Sequence, residues 1–135
     1  MAYLRALMIE LELQDVFFTN HVTQAELVAY YQLADVFLCM SEHEGFCIPL
    51  LEAMYFDVPV IAYDSTGVPG TLDGSGVLFK KKDYAAIAEM VMLLIEDQAF
   101  REAVIKKQRA RLEDFKPGRL APEFKRLLDP IILQK

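Results

Sequence analysis

The sequence predicts an α/β fold in which a parallel sheet of Rossmann type is flanked by helices. Short runs of β-branched and aromatic residues alternate with segments of helical periodicity. The run at 35–40 is apolar on both faces, as central parallel strands are. The stretch Ser41–Met54 leads from that run through a glycine-containing loop into a helix that opens with a proline. In such sheets ligands bind outside the carboxyl ends of the strands.

The first half of the chain is predicted to hold two helices and two strands. Residues 2–13 have helical periodicity, and the apolar run at 16–18 predicts a short strand. A second helix is predicted from Thr23 to about residue 33, because Thr23 and Glu26 have the spacing of a capping box. The strand at 35–40 follows this helix.

The second half is predicted to alternate in the same way. Its elements are a helix at 49–56 with Pro49 in the first helical position, a strand at 59–63, a loop at 64–76, a strand at 77–79, a helix from the Asp83 cap to about 96, and two helices at 98–114 and 119–128. Pro117-Gly118 is predicted to separate the last two helices, and Pro130 to end the second. The prediction therefore contains four short parallel strands.

Composition indicates one domain in a reducing compartment. The chain has 135 residues, 54% of them hydrophobic, with a mean hydropathy of +0.22. Its apolar runs are too short to span a bilayer, and its start has no signal-peptide pattern. Cys39 and Cys47 are eight positions apart, without a metal-ligand spacing, so we expect reduced thiols, no metal site and a cytoplasmic protein. The apolar excess predicts a surface that another chain or domain covers.

The basic residues are confined to the two ends of the chain. All 14 are Arg5 and residues from Lys80 onward, whereas positions 6–79 hold 11 carboxylates. Nucleic-acid binding is not expected, because a phosphate backbone requires clustered Lys and Arg. A phosphate site within 6–79 must use backbone dipoles or cations from outside that stretch. The run at 80–82 is interpreted as a solvated turn.

Two carboxylates bracket the loop and the helix start after the strand at 35–40. Glu44 and Glu52 are separated by seven residues, and carboxylates accept hydrogen bonds from hydroxyls rather than bind phosphate. The free N–H groups expected at the helix start favour a diphosphate; they belong to Ile48, Leu50 and Leu51. A ligand with hydroxyls on either side of a phosphate is a nucleotide sugar. The loop at 64–67 should open on the same edge of the sheet.

This segment resembles the C-terminal donor-binding domain of GT-B glycosyltransferases, especially the retaining family 4 enzymes. The likeness rests on the Glu-x7-Glu motif of Glu44–Glu52. It extends to Ala34–Leu38 before the motif, and to Pro59–Ala62 and the glycine-rich Asp73–Leu78 after it. The resemblance runs from about residue 3 to residue 128.

The resemblance implies a retaining glycosyltransferase that moves a sugar from a nucleoside-diphosphate sugar to an acceptor, with this chain as the donor-binding part. Glu44 would be catalytic and contact hydroxyls of the donor sugar, and Glu52 would hold the ribose hydroxyls. The backbone at 45–47 would approach the sugar and the phosphates. No cofactor or metal is implied. The donor-binding residues would be Glu44, Gly45, Phe46, Cys47, Ile48, Leu51 and Glu52.

The chain departs from the family pattern at three positions. Many relatives have Gly where this chain has Asn20 and Asp57, and Glu where it has Gly70. Asn and Asp are the non-glycine residues most often found at positive φ, so we expect left-handed backbone at the first two positions. Gly70 removes a carboxylate beside the expected site.

The resemblance also implies that residues 1–135 form a single partial domain. Family members have an N-terminal acceptor domain, and the first two strands of their C-terminal domain precede anything in this chain. The isolated chain is therefore expected to be inactive and to depend on the missing domain or a partner chain. One missing strand lies between those at 16–18 and 35–40, so we expect a homo-oligomer, or direct pairing of these two strands. Any peripheral membrane contact would come through the missing domain.

Four alternatives stay open at this point. The chain could be a catalytically inactive module that binds a nucleotide sugar or another protein, or one chain of a split enzyme. A nucleotide-sugar epimerase of the same fold would need acids and bases that are not evident. A purely structural α/β module is the fourth. Turnover without any added chain separates the enzyme from the binding module, whereas nucleotide binding alone does not.

Overall fold

A computed structural model describes residues 2–132, and Met1 and residues 133–135, assigned above to the same domain, lie outside the described residues. The strands are β1 (Phe37–Cys39), β2 (Val60–Tyr63) and β3 (Val77–Phe79). The helices are α1 (Ala2–Glu10), α2 (Gln24–Leu33), α3 (Ile48–Tyr55), α4 (Val68–Leu72), α5 (Tyr84–Glu96), α6 (Gln98–Leu112) and α7 (Pro117–Ile132), with a 3₁₀ turn at Glu113–Phe115.

The three strands form one parallel sheet in the order β1-β2-β3. Phe37 lies opposite Val60, and Ile61 lies opposite Val77. Helices α3 and α4 make the two crossovers that parallel strands require. The predicted α/β class, with a Rossmann-like parallel sheet and flanking helices, is confirmed.

The predicted strand at 16–18 is wrong, because this segment has no regular secondary structure. The described residues place no strand beside it, and an isolated strand leaves its backbone groups without partners. The Phe17 side chain is 82% exposed. Direct pairing of 16–18 with β1 therefore does not occur. Within residues 2–132, β1 is an edge strand, and Leu38 is 48% exposed rather than buried as the apolar run predicted.

The predicted loop at 64–76 contains the short helix α4. Its composition favours a loop, but Val68, Thr71 and Leu72 are buried, and their packing outweighs the weak helix propensity of the segment. Asp73 ends α4 in the left-handed conformation, with a φ of 45°.

The prolines of the last helix act differently from the prediction. The last two helices are separated as predicted, but at residues 113–116, and Pro117 begins α7 rather than lying between the helices. A first helical residue does not need the N–H that proline lacks. Pro130 lies inside α7 and does not end it. No residue of α7 is buried, and its apolar positions, including Phe124 and Ile131, face away from the rest of the described chain.

Hydrophobic clusters cover both faces of the sheet. Val60 and Ala62 pack with α3 and α4 on one face, and Ile61 packs with α5 and α6 on the other. This alternation is the two-residue period of a strand buried on both sides. β2 is therefore the centre of the core.

A buried glutamine joins α6 to the start of β2. Gln108 Oε1 accepts a hydrogen bond from the Val60 N–H at 2.9 Å, and Gln108 Nε2 donates to the Val58 carbonyl at 2.9 Å. These two groups lie on either side of Pro59, which has no N–H to donate. The Gln108 side chain is fully buried, so no water competes for the two bonds.

We expect Gln108→Leu to lower the free energy of unfolding by about 2–4 kcal/mol. The substitution leaves a buried N–H and a buried carbonyl without partners, and each costs about 1–3 kcal/mol. Urea unfolding followed by circular dichroism measures the loss. Gln98→Leu on the exposed part of α6 is the control, expected within about 0.5 kcal/mol of the unmodified chain. Equal stabilities of the two variants would contradict the role of Gln108.

Candidate active site

The loops that follow β1 and β2 are hydrogen-bonded to each other. The Ser65 hydroxyl donates to the Ser41 carbonyl at 2.8 Å. The Glu44 N–H donates to Thr66 Oγ1 at 2.8 Å, and the Glu44 carbonyl accepts from the Thr66 hydroxyl at 2.6 Å and from the Gly67 N–H at 3.0 Å. The expectation that both loops open on one edge of the sheet is confirmed.

Gly67 is required by the close approach of the two loops. A Cβ atom at this position would lie 1.9 Å from the Gly45 carbonyl oxygen and 2.7 Å from its carbonyl carbon. The φ of Gly67 is −81°, which any residue adopts, so the requirement is steric. Gly70, three positions on, has nothing within 4 Å of the same added atom.

We expect Gly67→Ala and Gly70→Ala to change stability in opposite directions. The first forces two backbone segments apart and should cost about 1–3 kcal/mol or more. The second replaces a glycine inside α4 and should stabilise by about 0.5–1 kcal/mol. Thermal unfolding of the matched pair measures both changes, and a tolerated Gly67→Ala would show that the loops are not held together.

The start of α3 differs in detail from the sequence prediction. Cys47 is the N-cap residue in the left-handed conformation, with a φ of 60°, and α3 begins at Ile48. Pro49 is therefore the second helical residue rather than the first. The Leu50 N–H donates to the Cys47 carbonyl at 3.0 Å, so it is not one of the free groups that were expected. The Thr71 hydroxyl donates to the Phe46 carbonyl and fixes the loop before the helix.

The Glu44 carboxylate lies beside two thiols. The side chain of Glu44 is half-buried, and its carboxylate accepts no hydrogen bond within residues 2–132. The Sγ atoms of Cys39 and Cys47 are 3.9 Å apart, within hydrogen-bond distance for sulfur, and form no disulfide. Burial raises the pKa of the Cys47 thiol to about 12, and the nearby Cys39 and Glu44 add to the shift. Cys47 is therefore an unreactive protonated thiol at neutral pH.

The Glu52 carboxylate is held by a tyrosine from α2. The Tyr31 hydroxyl donates to Glu52 Oε2 at 3.0 Å, and the Tyr31 ring stacks on Phe56 with 5.5 Å between centroids. Burial, and then the hydrogen bond to Glu52, raises the pKa of Tyr31. The tyrosine therefore stays protonated and orients the carboxylate.

An apolar groove of about 780 Å³ lies beside Glu52, a volume within the range of small-molecule sites. Of the seven predicted site residues, Leu51 and Glu52 line it and the others do not. Phe46 reaches its end through an edge-on contact with Phe115, at 5.7 Å between centroids. The lining comprises Gln24, Leu27, Val28, Tyr31, Leu51, Glu52, Tyr55, Phe56, Arg109, Leu112, Glu113, Phe115, Lys116 and Pro117.

A basic residue of the run at 80–82 lies at the loop between β1 and α3, residues 40–47, which is called the motif loop below. Lys82 Nζ is 2.8 Å from Glu42 Oε1 and 5.0 Å from the centroid of the Tyr63 ring. The hydrogen bond from Lys82 lowers the pKa of Glu42. The interpretation of the run at 80–82 as only a solvated turn is therefore wrong for Lys82. No local spacing could have indicated this contact across 40 residues.

Two arginines of α6 also reach the site. Arg111 donates to the carbonyls of Gly70 at 2.7 Å and Thr71 at 3.0 Å. Arg109 makes a bidentate pair with Asp57, with both N···O distances at 2.6 Å, and its hydrogen bond lowers the pKa of Asp57. Because Asp57 is partly exposed, this pair adds little stability.

The backbone conformation was compared with expectation at the three positions that depart from the family pattern: Asn20, Asp57 and Gly70. Asn20 has a φ of 53° and Asp57 a φ of 58°, so the expected left-handed conformation is confirmed at both positions. Gly70 lies in α4, where its backbone does not require glycine and where a larger side chain has open space.

Across residues 2–132 no helix combines the length and the apolar character needed to cross a membrane.

The family model for glycosyl transferases group 1 matches residues 2–111. The chain therefore belongs to the group 1 glycosyltransferases, and the resemblance inferred from the Glu-x7-Glu motif is confirmed. The sheet and its carboxyl-edge loops agree with a Rossmann-like domain of that family.

Similar proteins are named as transferases. The O-antigen chain mannosyltransferase B of Escherichia coli is 29% identical over 98 residues, which is 73% of this chain and 26% of that protein. The capsular polysaccharide biosynthesis glycosyltransferase CapM of Staphylococcus aureus is 34% identical over 89 residues, 64% of this chain and 23% of CapM. A GDP-mannose-dependent alpha-mannosyltransferase of Mycolicibacterium smegmatis is 48% identical over 50 residues, 37% of this chain and 13% of that protein. The chain spans about a quarter of the length of the first two relatives.

Proposed function

We propose that this chain is the donor-binding part of a retaining glycosyltransferase that uses a nucleoside-diphosphate sugar. One observation carries the proposal. Glu44 is fixed through its backbone by Thr66 and Gly67, while its carboxylate has no hydrogen-bond donor among the described residues. An oriented, unpaired carboxylate at the carboxyl edge of a parallel sheet is suited to accept hydrogen bonds from sugar hydroxyls. Glu44 is the catalytic residue of this proposal.

The remaining parts of the donor are proposed to bind along the residues that lead from Glu44 into α3. The backbone of Gly45, Phe46 and Cys47 approaches the sugar and the phosphates, and the start of α3, with Ile48, faces the diphosphate with its positive dipole end. Glu52, oriented by Tyr31, holds the ribose hydroxyls, and Leu51 lies beside it.

The apolar groove next to Glu52 takes the nucleoside in this proposal. Its walls offer flat apolar surface for a base, and the Glu52 carboxylate lies where the ribose would enter. GDP-mannose is the first donor to test, because two of the three relatives named above are mannosyltransferases, one of them GDP-mannose-dependent.

Little covalent chemistry is required of the protein. Positioning of the donor and stabilisation of the leaving diphosphate supply the catalysis, with no metal or cofactor. Lys82 pairs with Glu42 in the loop after β1, and Arg111 donates to the carbonyl of Thr71. Arg109 and Lys116 line the groove. We propose further that the whole protein has an acceptor-binding domain and transfers the sugar to an acceptor bound there. Its proposed location is the cytoplasm.

A second candidate is a binding module without turnover. The apolar groove and the exposed apolar side of α7, with Leu120, Phe124 and Leu127, favour a surface that another domain or chain covers. This candidate shares the donor site with the first and differs from it only in the absence of transfer.

We expect weak binding of GDP or UDP that depends on Glu52. Calorimetric titration should show a loss of affinity of at least about tenfold in Glu52→Ala, which corresponds to about 1.4 kcal/mol. Glu89→Ala on the exposed part of α5 is the control and should bind as the unmodified chain does. Unchanged affinity in Glu52→Ala would remove Glu52 from the ribose site.

We expect the isolated chain to release no nucleotide from GDP-mannose or UDP-sugars beyond the rate without protein. In this proposal the chain supplies the donor site, and the described residues form no second domain that could present an acceptor. Coupled detection of free GDP or UDP with a panel of acceptors measures this. Turnover at ordinary rates, about 1 per second or more, would show that the chain is a complete enzyme.

A further inference from the structure

The Arg111 side chain connects α6 to α4 and to the 3₁₀ turn at Glu113–Phe115. Its Nε donates to the Thr71 carbonyl at 3.0 Å, and one terminal nitrogen donates to the Gly70 carbonyl at 2.7 Å. The other terminal nitrogen donates to Asp114 Oδ2 at 2.8 Å. The side chain is only 18% exposed. Because all three guanidinium nitrogens have partners within the chain, the role of Arg111 lies in the contacts it makes there.

Helix α4 is too short to be stable by itself. It has five residues, whereas isolated helices shorter than about 12–15 residues are marginal in water. Gly70 and Thr71 lie in its last turn, where helix carbonyls lack partners within the helix. A cation at this end bonds such carbonyls and is favoured by the helix dipole. Arg111 therefore attaches the end of α4 to α6.

Helix α4 in turn holds the backbone of the motif loop. The buried Thr71 hydroxyl donates to the Phe46 carbonyl. The N–H of Gly67, the N-cap residue of α4, donates to the Glu44 carbonyl at 3.0 Å. The position of the motif loop therefore depends on where α4 lies, and the Arg111 side chain bonds the end of α4 that is farther from Gly67.

A second set of contacts leads from Arg111 to the ring of Phe46. Arg111 Cζ lies 4.7 Å from the centroid of the Phe115 ring, within the range of a cation–π contact. The Phe115 ring meets the Phe46 ring edge-on. The carbonyl and the ring of Phe46 are thus each linked to Arg111 through one intermediate residue, Thr71 for the carbonyl and Phe115 for the ring.

Arg111 projects from a helix that is already fixed to the sheet. Gln108, three positions earlier on α6, bonds the backbone on both sides of Pro59 at the start of β2. Residues three apart lie on the same face of a helix. One face of α6 therefore carries a contact to the sheet and, about one turn later, a contact to α4.

We propose that Arg111 is a positioning residue that holds Phe46, and with it the backbone at 45–47, in place for the donor. The inference rests on the proposed donor site and adds to it a residue far outside the Glu-x7-Glu motif. Lysine cannot replace Arg111, because an ammonium group is a point charge and lacks the planar fork that reaches two carbonyls and a ring together.

Fluorescence tests whether Arg111 holds Phe46, without any nucleotide. The chain contains no tryptophan, so Phe46→Trp places a single reporter in the motif loop. In this reporter chain, Arg111→Lys should shift the emission to longer wavelength and raise the acrylamide quenching constant at least about twofold, because the side chain at position 46 loses its support. Arg126→Lys changes an exposed arginine of α7 in the same way and is the matched control, expected to alter neither quantity.

A second variant covers the case in which circular dichroism shows that Arg111→Lys does not fold. Phe115→Leu keeps the arginine and its hydrogen bonds and removes only the ring between Arg111 and Phe46. It should also raise the quenching constant of the reporter. Unchanged emission and quenching in the folded Arg111→Lys reporter chain, or in the Phe115→Leu one, would overturn the proposal.

Calorimetric titration with GDP tests whether this support matters for the donor. In the chain that retains Phe46, Arg111→Lys should weaken the affinity about tenfold, since a small displacement of binding groups is costly. Arg126→Lys should bind as the unmodified chain does. Unchanged GDP affinity in the folded Arg111→Lys chain would overturn the role of Arg111 in donor binding. Absence of GDP binding by the unmodified chain would instead contradict the proposed donor site, and the fluorescence would still decide whether Arg111 holds Phe46.

Discussion

The hydrogen bonds that join the Thr66 hydroxyl and the Gly67 N–H to the Glu44 backbone are the constraint on which the site depends. They connect two loops that the chain separates by more than 20 residues, and at Glu44 they use only main-chain atoms, so that its side chain remains available. The absence of a side chain at Gly67 permits the contact. The Glu44 backbone takes its position from this contact, which joins the loop after β1 to the loop after β2.

Local patterns predicted those parts of the fold that local physics decides. The capping box of Thr23 and Glu26 forms as its spacing indicated, and the left-handed backbone at Asn20 and Asp57 follows from residue type. The strand at 16–18 and the helix α4 were predicted wrongly because their state depends on neighbours distant in sequence. A strand needs a paired backbone, and α4 forms because its apolar residues are buried by other elements.

The candidate site, like the fold, was predicted where its residues are close in sequence and missed where they are distant. The motif from Glu44 to Glu52 is continuous in sequence, so its residues could be predicted as a group. Later elements contribute Lys82, which bonds Glu42 just before the motif, and Phe115, which contacts Phe46 within it. Arg111 bonds the carbonyl of Thr71 in the neighbouring α4. These contacts span 40 residues or more, and no spacing rule connects such positions. The contact between the Cys39 and Cys47 sulfurs was not predicted for a related reason, since spacing along the chain says little about distance across a strand-to-helix turn.

The two hydrogen bonds made by the Gln108 side chain restrict how segments of this domain can be recombined between related genes. Helix α6 supplies the hydrogen bonds that the backbone on either side of Pro59 needs, so β2 and α6 must be inherited together. A hybrid gene that took β2 from one relative and α6 from another would join compatible strands and helices, yet fail unless an amide side chain faced that proline. Recombination within this domain is therefore restricted to breakpoints that leave both on the same parental segment, or to parents that share the amide.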